Sequence, residues 1–576
     1  MVKKTKKNFK QKSFFFEDYN EAEIIFNRKK INLIKISSSR IAFLAIIFLS
    51  LMFIFSIKII YLSLFPAKNL SSLIVKNEKV QDRRDITDRN GIILARNINV
   101  YNAGVRPKLV KDKKKFLTRL RLILPELDSS QIQRQLNQKN FFYIQKRLSP
   151  KEKDKLWLLG DKAIVFESKP FRIYPQKNLF SHIVGQIDDN NDGISGIERF
   201  FDEELKNKKL SETSLNLTLD TNLQYLIRNE LIEAKDNFKN IGSAAILMNV
   251  KTGEILSLVS LPDYDLNKRS SIINDIYSNK ITLGVYELGS VFKTFTLAAA
   301  LEQKIINKNT LFENLEHSLT CDKYKISEHD KLPKDLSAEQ ILIRSSNIGA
   351  VRIAQKIGAE NYKNFLNSLG LFKKINFELE EIGTPLSIKW GKCKLATASF
   401  GHGITTTPLQ LAKAYSILGN GGYNIDPFLV KKEKHLMKKG QQIISSKTSN
   451  EINSILRKVV SLDEGTANFA NVDGYDVGGK TGTSLKYNSN EKLNTFISLF
   501  PASNPEYVLL VMLDEPKPAP TYIYEFPPSE KFPNGFKHTG ESRSTSGWNT
   551  VVVASKIIKK IGPILAIKNL QASNNF

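Results

Sequence analysis

Tyr286–Lys304 reads YELGSVFKTFTLAAALEQK, and the fold is decided by how this stretch is understood. Ser290 follows a glycine at the start of a strongly apolar helix. Lys293 lies three residues on, so both side chains point from one helix face. A serine hydroxyl is a poor nucleophile until a base takes its proton. A lysine enclosed by Val291, Phe292 and Phe295 loses solvation of its charge, which lowers its pKa and frees the amine to act as that base. Taken alone, the segment has a simpler reading: a core helix with a serine cap and a snorkelling lysine.

Downstream, ILIRSSNIGAVRIAQKIG opens a second helix at Ser345–Ser346–Asn347, where an N-cap is a sufficient explanation. Functionally, Ser345 would relay a proton between Lys293, Lys480 and a leaving amine, while Asn347 hydrogen-bonds a peptide carbonyl and Lys293. Further on, YDVGGKTGTS places two glycines before Lys480, Thr481, Gly482 and Thr483. The glycines are expected to let a strand backbone approach a ligand. Lysine and two hydroxyls would then hold a carboxylate, with the Thr483 amide facing a developing oxyanion. A second S-x-x-K at Ser489–Lys492 lies in a polar loop that would bury nothing. A second K-T-G at Lys251–Gly253 sits at a hairpin tip, and a turn explains it. Each element is weak alone. Their order, S-x-x-K, S-x-N, K-T-G, is the signature shared by penicillin-binding proteins and class A β-lactamases.

Strands flank this chemistry at both ends. GSAAILMNVKTGEILSLVSLP (Gly242–Pro262) reads as a hairpin, and TFISLFPAS and YVLLVMLDE as a late strand pair, with helices between them. That is an α+β arrangement. Before it, Asp220 or Thr221 caps a helix with Leu223, Leu226, Ile227 and Leu231 at helical spacing. Residues 66–225 read as a separate α+β region of short elements. In it, Arg83–Asn97 forms a strand, a D-R-N-G turn and a strand, and Lys111–Lys115 leads into a helical FLTRLRLILPEL.

The chain has 576 residues, enough for two to four folded units, and a net charge of +27. That surplus fits an anionic partner or a solvated basic surface. Ile41–Ile57 carries no charge, and continued to Phe65 it is long enough to cross a bilayer. Residues 1–40 hold 11 Lys/Arg against four acids, which predicts a cytoplasmic tail and export of everything after the anchor. Nucleic acid is then a poor partner; phospholipid headgroups, a diphosphate-linked lipid or a wall polymer fit better. Six histidines without ligand spacing and two cysteines argue against a metal site or a disulfide scaffold.

Beyond the anchor, nearly the whole chain resembles the class B penicillin-binding proteins, in an alphaproteobacterial-like division branch. RRDITDRNGIILA, GISGIERFFDEEL (Gly193–Leu205), ATASFGHGITTTPLQLAKAYSILGNGG (Ala396–Gly422) and TSGWNTVVVASKIIKKI carry the likeness, and YELGSVFK with FGHGI favours division over elongation. The resemblance implies a single N-terminal transmembrane helix, an α+β pedestal of the dimerisation type, and an α+β serine-transpeptidase domain of the penicillin-binding/β-lactamase type. The expected boundaries are 1–40 tail, 41–65 anchor, 66–225 pedestal, 226–565 transpeptidase and 566–576 C-terminal tail. It implies Ser290 as acylated nucleophile and Lys293 as base. Ser345 and Asn347 form a second wall, Lys480, Thr481, Gly482 and Thr483 a third, and the amides of Ser290 and Thr483 the oxyanion hole. It also implies peptidoglycan stem peptides as substrate, covalent inhibition by β-lactams, an FtsW-type glycan polymerase and other divisome membrane proteins as partners, and no cofactor.

Alternatives remain at this level. A β-lactamase needs a water-activating carboxylate; EGTAN (Glu464–Asn468) has E-x-x-x-N spacing but lies just before K-T-G, and nothing around Glu378, Glu380 and Glu381 suggests such a loop. A D,D-carboxypeptidase shares every catalytic residue. A β-lactam sensor would need a larger cytoplasmic domain, and a non-catalytic scaffold would not need the motifs. Thr521–Arg543, rich in Pro, Tyr and Ser, reads as a loop that is a candidate gate. Cys321 and Cys393 either bridge or stay free, since the sequence sets no distance between them.

Overall fold

The computed structural model describes residues 23–26, 29–64 and 83–574, apart from 139, 211, 269–275, 323, 387–388, 392, 433–439, 487–488 and 529–531. Most of the expected basic tail lies outside the described residues. The chain divides into two compact units, Met1–Lys79 and Val80–Phe576.

In the first unit, helix α1 (Leu33–Leu64) contains a 21-residue span, Ile41–Tyr61, with mean hydropathy 2.7 and no buried residues. At 1.5 Å per residue this span covers about 32 Å, the thickness of a bilayer's hydrocarbon core. The helix starts before the apolar run because Lys35 and Ser37–Arg40 contain no helix breaker.

The second unit holds two hydrophobic cores. The smaller one lies within Ala103–Ile164. Strands β1 (Ile86–Thr87) and β2 (Ile93–Val105) pair antiparallel across the expected Asp88–Gly91 turn, in which Asp88 Oδ1 accepts the Asn90 and Ile92 amides. Helix α2 (Lys113–Ile123) is capped by Asp112 and buries Phe116 and Leu120. Strands β3 (Phe142–Leu148) and β4 (Ile164–Ile173) both pair with β2, and β5 (Leu215–Asn216) runs parallel to β1.

Asp220 caps α3 (Thr221–Phe238), as its side chain and the Leu223/Ile227/Leu231 stripe require. Strands β6 (Gly242–Asn249) and β7 (Ile255–Leu261) form the early hairpin. The segment that follows contains α4 (Lys293–Glu302), the hairpin β8 (Ser318–Cys321) and β9 (Tyr324–Ser327), α5 (Asn347–Ile357) and α6 (Pro408–Gly419). The chain then returns to the sheet with β10 (Gly478–Leu485), β11 (Lys492–Phe500) and β12 (Tyr507–Asp514), giving the antiparallel order β10-β11-β12-β6-β7. Every residue of β12 is buried, so both faces of the sheet are covered; α6 and the last helix, α7 (Thr550–Asn574), pack on it.

Two expectations change. Thr521–Arg543 is mostly a β-hairpin, β13 (Ala519–Phe526) with β14 (Phe536–Glu541), not a loop. Its alternating Tyr and Phe residues suit a pleated surface, and Phe526 stacks on Phe536 with centroids 4.2 Å apart. Cys321 and Cys393 form a disulfide with Cα atoms 5.8 Å apart, closing the alternative left open.

Candidate active site

Ser290 sits in a single 3₁₀ turn, Gly289–Phe292, that runs straight into α4. Gly289 has φ +65°, and a Cβ there would stand 2.7 Å from the Thr483 carbonyl oxygen. From the opposite side, a Cβ on Gly482 would stand 2.3 Å from the Leu288 carbonyl oxygen. These two glycines press the serine turn against β10 with nothing between the backbones. Ser484 Oγ adds a hydrogen bond to the Glu287 carbonyl, 2.6 Å. The glycines expected to admit a ligand do something else. A side chain on Gly479 would meet the Phe496 ring at 2.6 Å, and one on Gly478 would meet Arg457 and Ala502, so both serve core packing.

Lys293 is 2% exposed, and its neighbours in sequence Val291, Phe292 and Phe295 are fully buried. Burial brings its pKa down to about 7, with Glu328 pulling the other way. Its Nζ donates to the Ser345 carbonyl and, at 3.1 Å, to Ser345 Oγ. Lys480, fully buried on β10, donates to the same Oγ at 2.9 Å and more weakly to the Thr481 carbonyl at 3.3 Å. Burial, and then the neighbouring charge of Lys293, push the Lys480 amine well below the ordinary lysine range. One hydroxyl therefore accepts from two amines that burial disposes to be neutral, the geometry of a proton relay.

Ser345 reaches this position by turning left-handed, φ +59°, after which Ser346 caps α5 by accepting the Gly349 amide. Asn347 Nδ2 donates to the Ser327 carbonyl at 2.8 Å. The expected contact of Asn347 with Lys293 is not among the hydrogen bonds of the described residues; Lys293 bonds to Ser345 instead. On the third wall, Thr481 Oγ1 meets Thr466 Oγ1 at 2.8 Å, and Thr483 Oγ1 accepts the Ser546 amide at 3.1 Å. The structure thus brings Ser290, Lys293, Ser345, Asn347 and Lys480–Thr483 onto three apposed elements.

Sequence reasoning missed Thr466, Ser546 and Glu328. Thr466 lies inside EGTAN, two residues after the glutamate of its E-x-x-x-N spacing. That glutamate, Glu464, pairs with Arg344 at 3.7 Å. The other weighed carboxylates are also engaged elsewhere: Glu380 with Arg199 at 2.5 Å, Glu381 with the Gly196 amide at 3.1 Å, and Glu378 with the Leu429 and Val430 amides.

The three motifs lie on apposed elements in the arrangement a serine acyltransferase needs, and a helix long and apolar enough to cross a membrane precedes them. Comparison with known proteins agrees. Residues 243–527 match the penicillin binding protein transpeptidase domain, and residues 79–216 match the penicillin-binding protein dimerisation domain. The "Probable peptidoglycan D,D-transpeptidase FtsI" of Caulobacter vibrioides is 32% identical over 84% of this chain and 82% of its own. The "Peptidoglycan D,D-transpeptidase FtsI" of Buchnera aphidicola subsp. Baizongia pistaciae is 32% identical over 83% and 88%. "Stage V sporulation protein D" of Bacillus subtilis is 30% identical over 76% and 74%. The fold is shared with penicillin binding protein 2X of Streptococcus thermophilus, TM-score 0.65 at 22% identity, covering 76% of each chain. The chain belongs to the class B penicillin-binding proteins of the FtsI type.

Proposed function

We propose that the chain cross-links peptidoglycan stem peptides at the division septum, as a D,D-transpeptidase working through an acyl-enzyme on Ser290. The observation that carries the reading is the single hydroxyl Ser345 Oγ held by both Lys293 and Lys480. A stem peptide ending in D-Ala-D-Ala would enter along β10, its carboxylate beside Lys480, Thr481 and Thr483. Neutral Lys293 takes the Ser290 proton as Oγ attacks the penultimate D-Ala carbonyl, and the amides of Ser290 and Thr483 receive the oxyanion. The proton passes through Ser345 to the nitrogen of the departing D-Ala. A neighbouring strand's amine then attacks the ester, loses its proton back along the same relay, and releases the cross-linked product. β-Lactams follow the first half and stop at the acyl-enzyme. The chemistry calls for no cofactor.

The domain division proposed is a pedestal at 66–225 and a transpeptidase at 226–565, running through α3. The basic tail is placed in the cytoplasm and the catalytic unit in the periplasm. The Cys321–Cys393 bridge supports an oxidising compartment. An FtsW-type glycan polymerase would be met through the anchor and pedestal.

The test is intact-mass analysis of the full chain in detergent after benzylpenicillin, beside Ser290→Ala. A persistent adduct mapping to Ser290 and lost in the variant is expected. No adduct with the drug intact overturns the assignment, and rapid drug destruction makes the protein a β-lactamase. A stem peptide supplied with and without an acceptor amine then separates cross-linking from carboxypeptidase release.

A further inference from the structure

Glu328 follows directly on β9, is 9% exposed, and belongs to none of the three motifs. Its Oε1 accepts from Ser346 Oγ at 2.6 Å and from the Ile348 amide at 2.9 Å, while Oε2 accepts the Asn347 amide at 2.8 Å. The residue before it, Ser327, takes the Asn347 side chain on its carbonyl. Two consecutive residues therefore clamp Asn347 by backbone and side chain. The hairpin that delivers them is tied at Cys321 to Cys393. Three donors converge on one carboxylate, which hydrogen-bonds better than any neutral acceptor of that size.

We propose that Glu328 is a positioning residue for acylation: its carboxylate holds the Ser345–Asn347 corner in register with Lys293 and sets a negative charge near that one amine. The inference rests on the reading of Ser290 as the acylated residue. Among the described residues, the charged and titratable groups facing Lys293 are Lys480 on β10 and Glu328 and His329 at the end of β9. Of these, only Glu328 is an acid. His329 is held below its ordinary value, first by burial and then by Lys293.

The experiment measures second-order acylation of the full chain by a fluorescent penicillin from pH 5.5 to 9, for wild type, Glu328→Gln, Glu328→Asp and Ser346→Ala. Glutamine keeps the shape but loses the charge and presents a donor where acceptors are needed. It is expected to acylate at least about tenfold more slowly, with the acid limb of its profile about one pH unit lower, because Lys293 loses its counter-charge. Ser346→Ala and Glu328→Asp keep the charge and are expected to slow acylation with the limb unmoved. A Glu328→Gln profile matching wild type in rate and limb overturns the proposal. So does a Ser346→Ala limb displaced as far as that of Glu328→Gln, since the shift would then report loosened packing. If melting curves show Glu328→Gln unfolded, Glu328→Asp decides, and a displaced limb there overturns the idea. Absence of an adduct on the wild type would instead sink the acyl-enzyme reading itself.

Discussion

Ser345 is held where its backbone resists going. A left-handed, non-glycine residue costs of order 1–3 kcal/mol and persists only when its surroundings over-determine it; here Lys293 and Lys480 both donate to its hydroxyl. The same burial sets a pH dependence. Burial brings Lys293 from about 10.5 down to about 7, and in the proposed mechanism only its neutral form serves as base. Penicillin acylation is therefore expected to rise with pH through about 7, falling about tenfold one pH unit below that point, as stopped-flow measurement across pH 5.5–9 would show. A flat profile would remove Lys293 as the base. At this scale the meeting of Lys293 and Lys480 at Ser345 was legible, because a relay needs amines and a hydroxyl and the motif order supplies them. The partners that orient them were not. Glu328 and Thr466 act through contacts made across space, and no spacing announces a left-handed serine.

Elements were legible where periodicity is local. The β6–β7 hairpin, α3 with its Asp220 cap and the β11–β12 pair follow from alternation, turn residues and an N-cap. The β13–β14 hairpin was not, because its prolines and tyrosines resemble a loop until aromatic stacking across the pair is seen. Gly478 and Gly479 were likewise assigned to a ligand, whereas the bulk they make room for is Phe496 and the Arg457 backbone. The β8–β9 hairpin carries a prediction. Its bridge closes a separation of 72 residues, for which the chain-entropy account gives about 4 kcal/mol. Cys321→Ser is expected to lower the melting temperature and slow acylation, because the hairpin that seats Glu328 and Ser327 is no longer braced. Calorimetry with the penicillin assay checks both, and an unchanged acylation rate would detach the bridge from the site.

At the scale of the molecule, the pedestal's base is tied by charge. Glu198 is fully buried, with Oε2 2.6 Å from Arg83 Nε and Oε1 2.7 Å from Arg172 Nε. Next to it, Arg199 and Gly196 meet Glu380 and Glu381 of the catalytic region. Glu198→Ala takes the carboxylate from buried Arg172 and one of two carboxylates from Arg83, which keeps Asp202 at 2.7 Å, a loss of about 3–5 kcal/mol. Thermal denaturation is expected to show it, while the low-temperature penicillin adduct persists because Glu198 takes no part in the cleft. The sheet holds one more consequence, a matter of time rather than geometry. Strand β6 pairs with β12, Asn249 opposite Tyr507, so the first hairpin of the catalytic region emerges long before its partner. Until then its apolar edge is open to any other strand. Because this central pairing joins strands so far apart in the sequence, the chain is expected to refold slowly and to aggregate when diluted from denaturant.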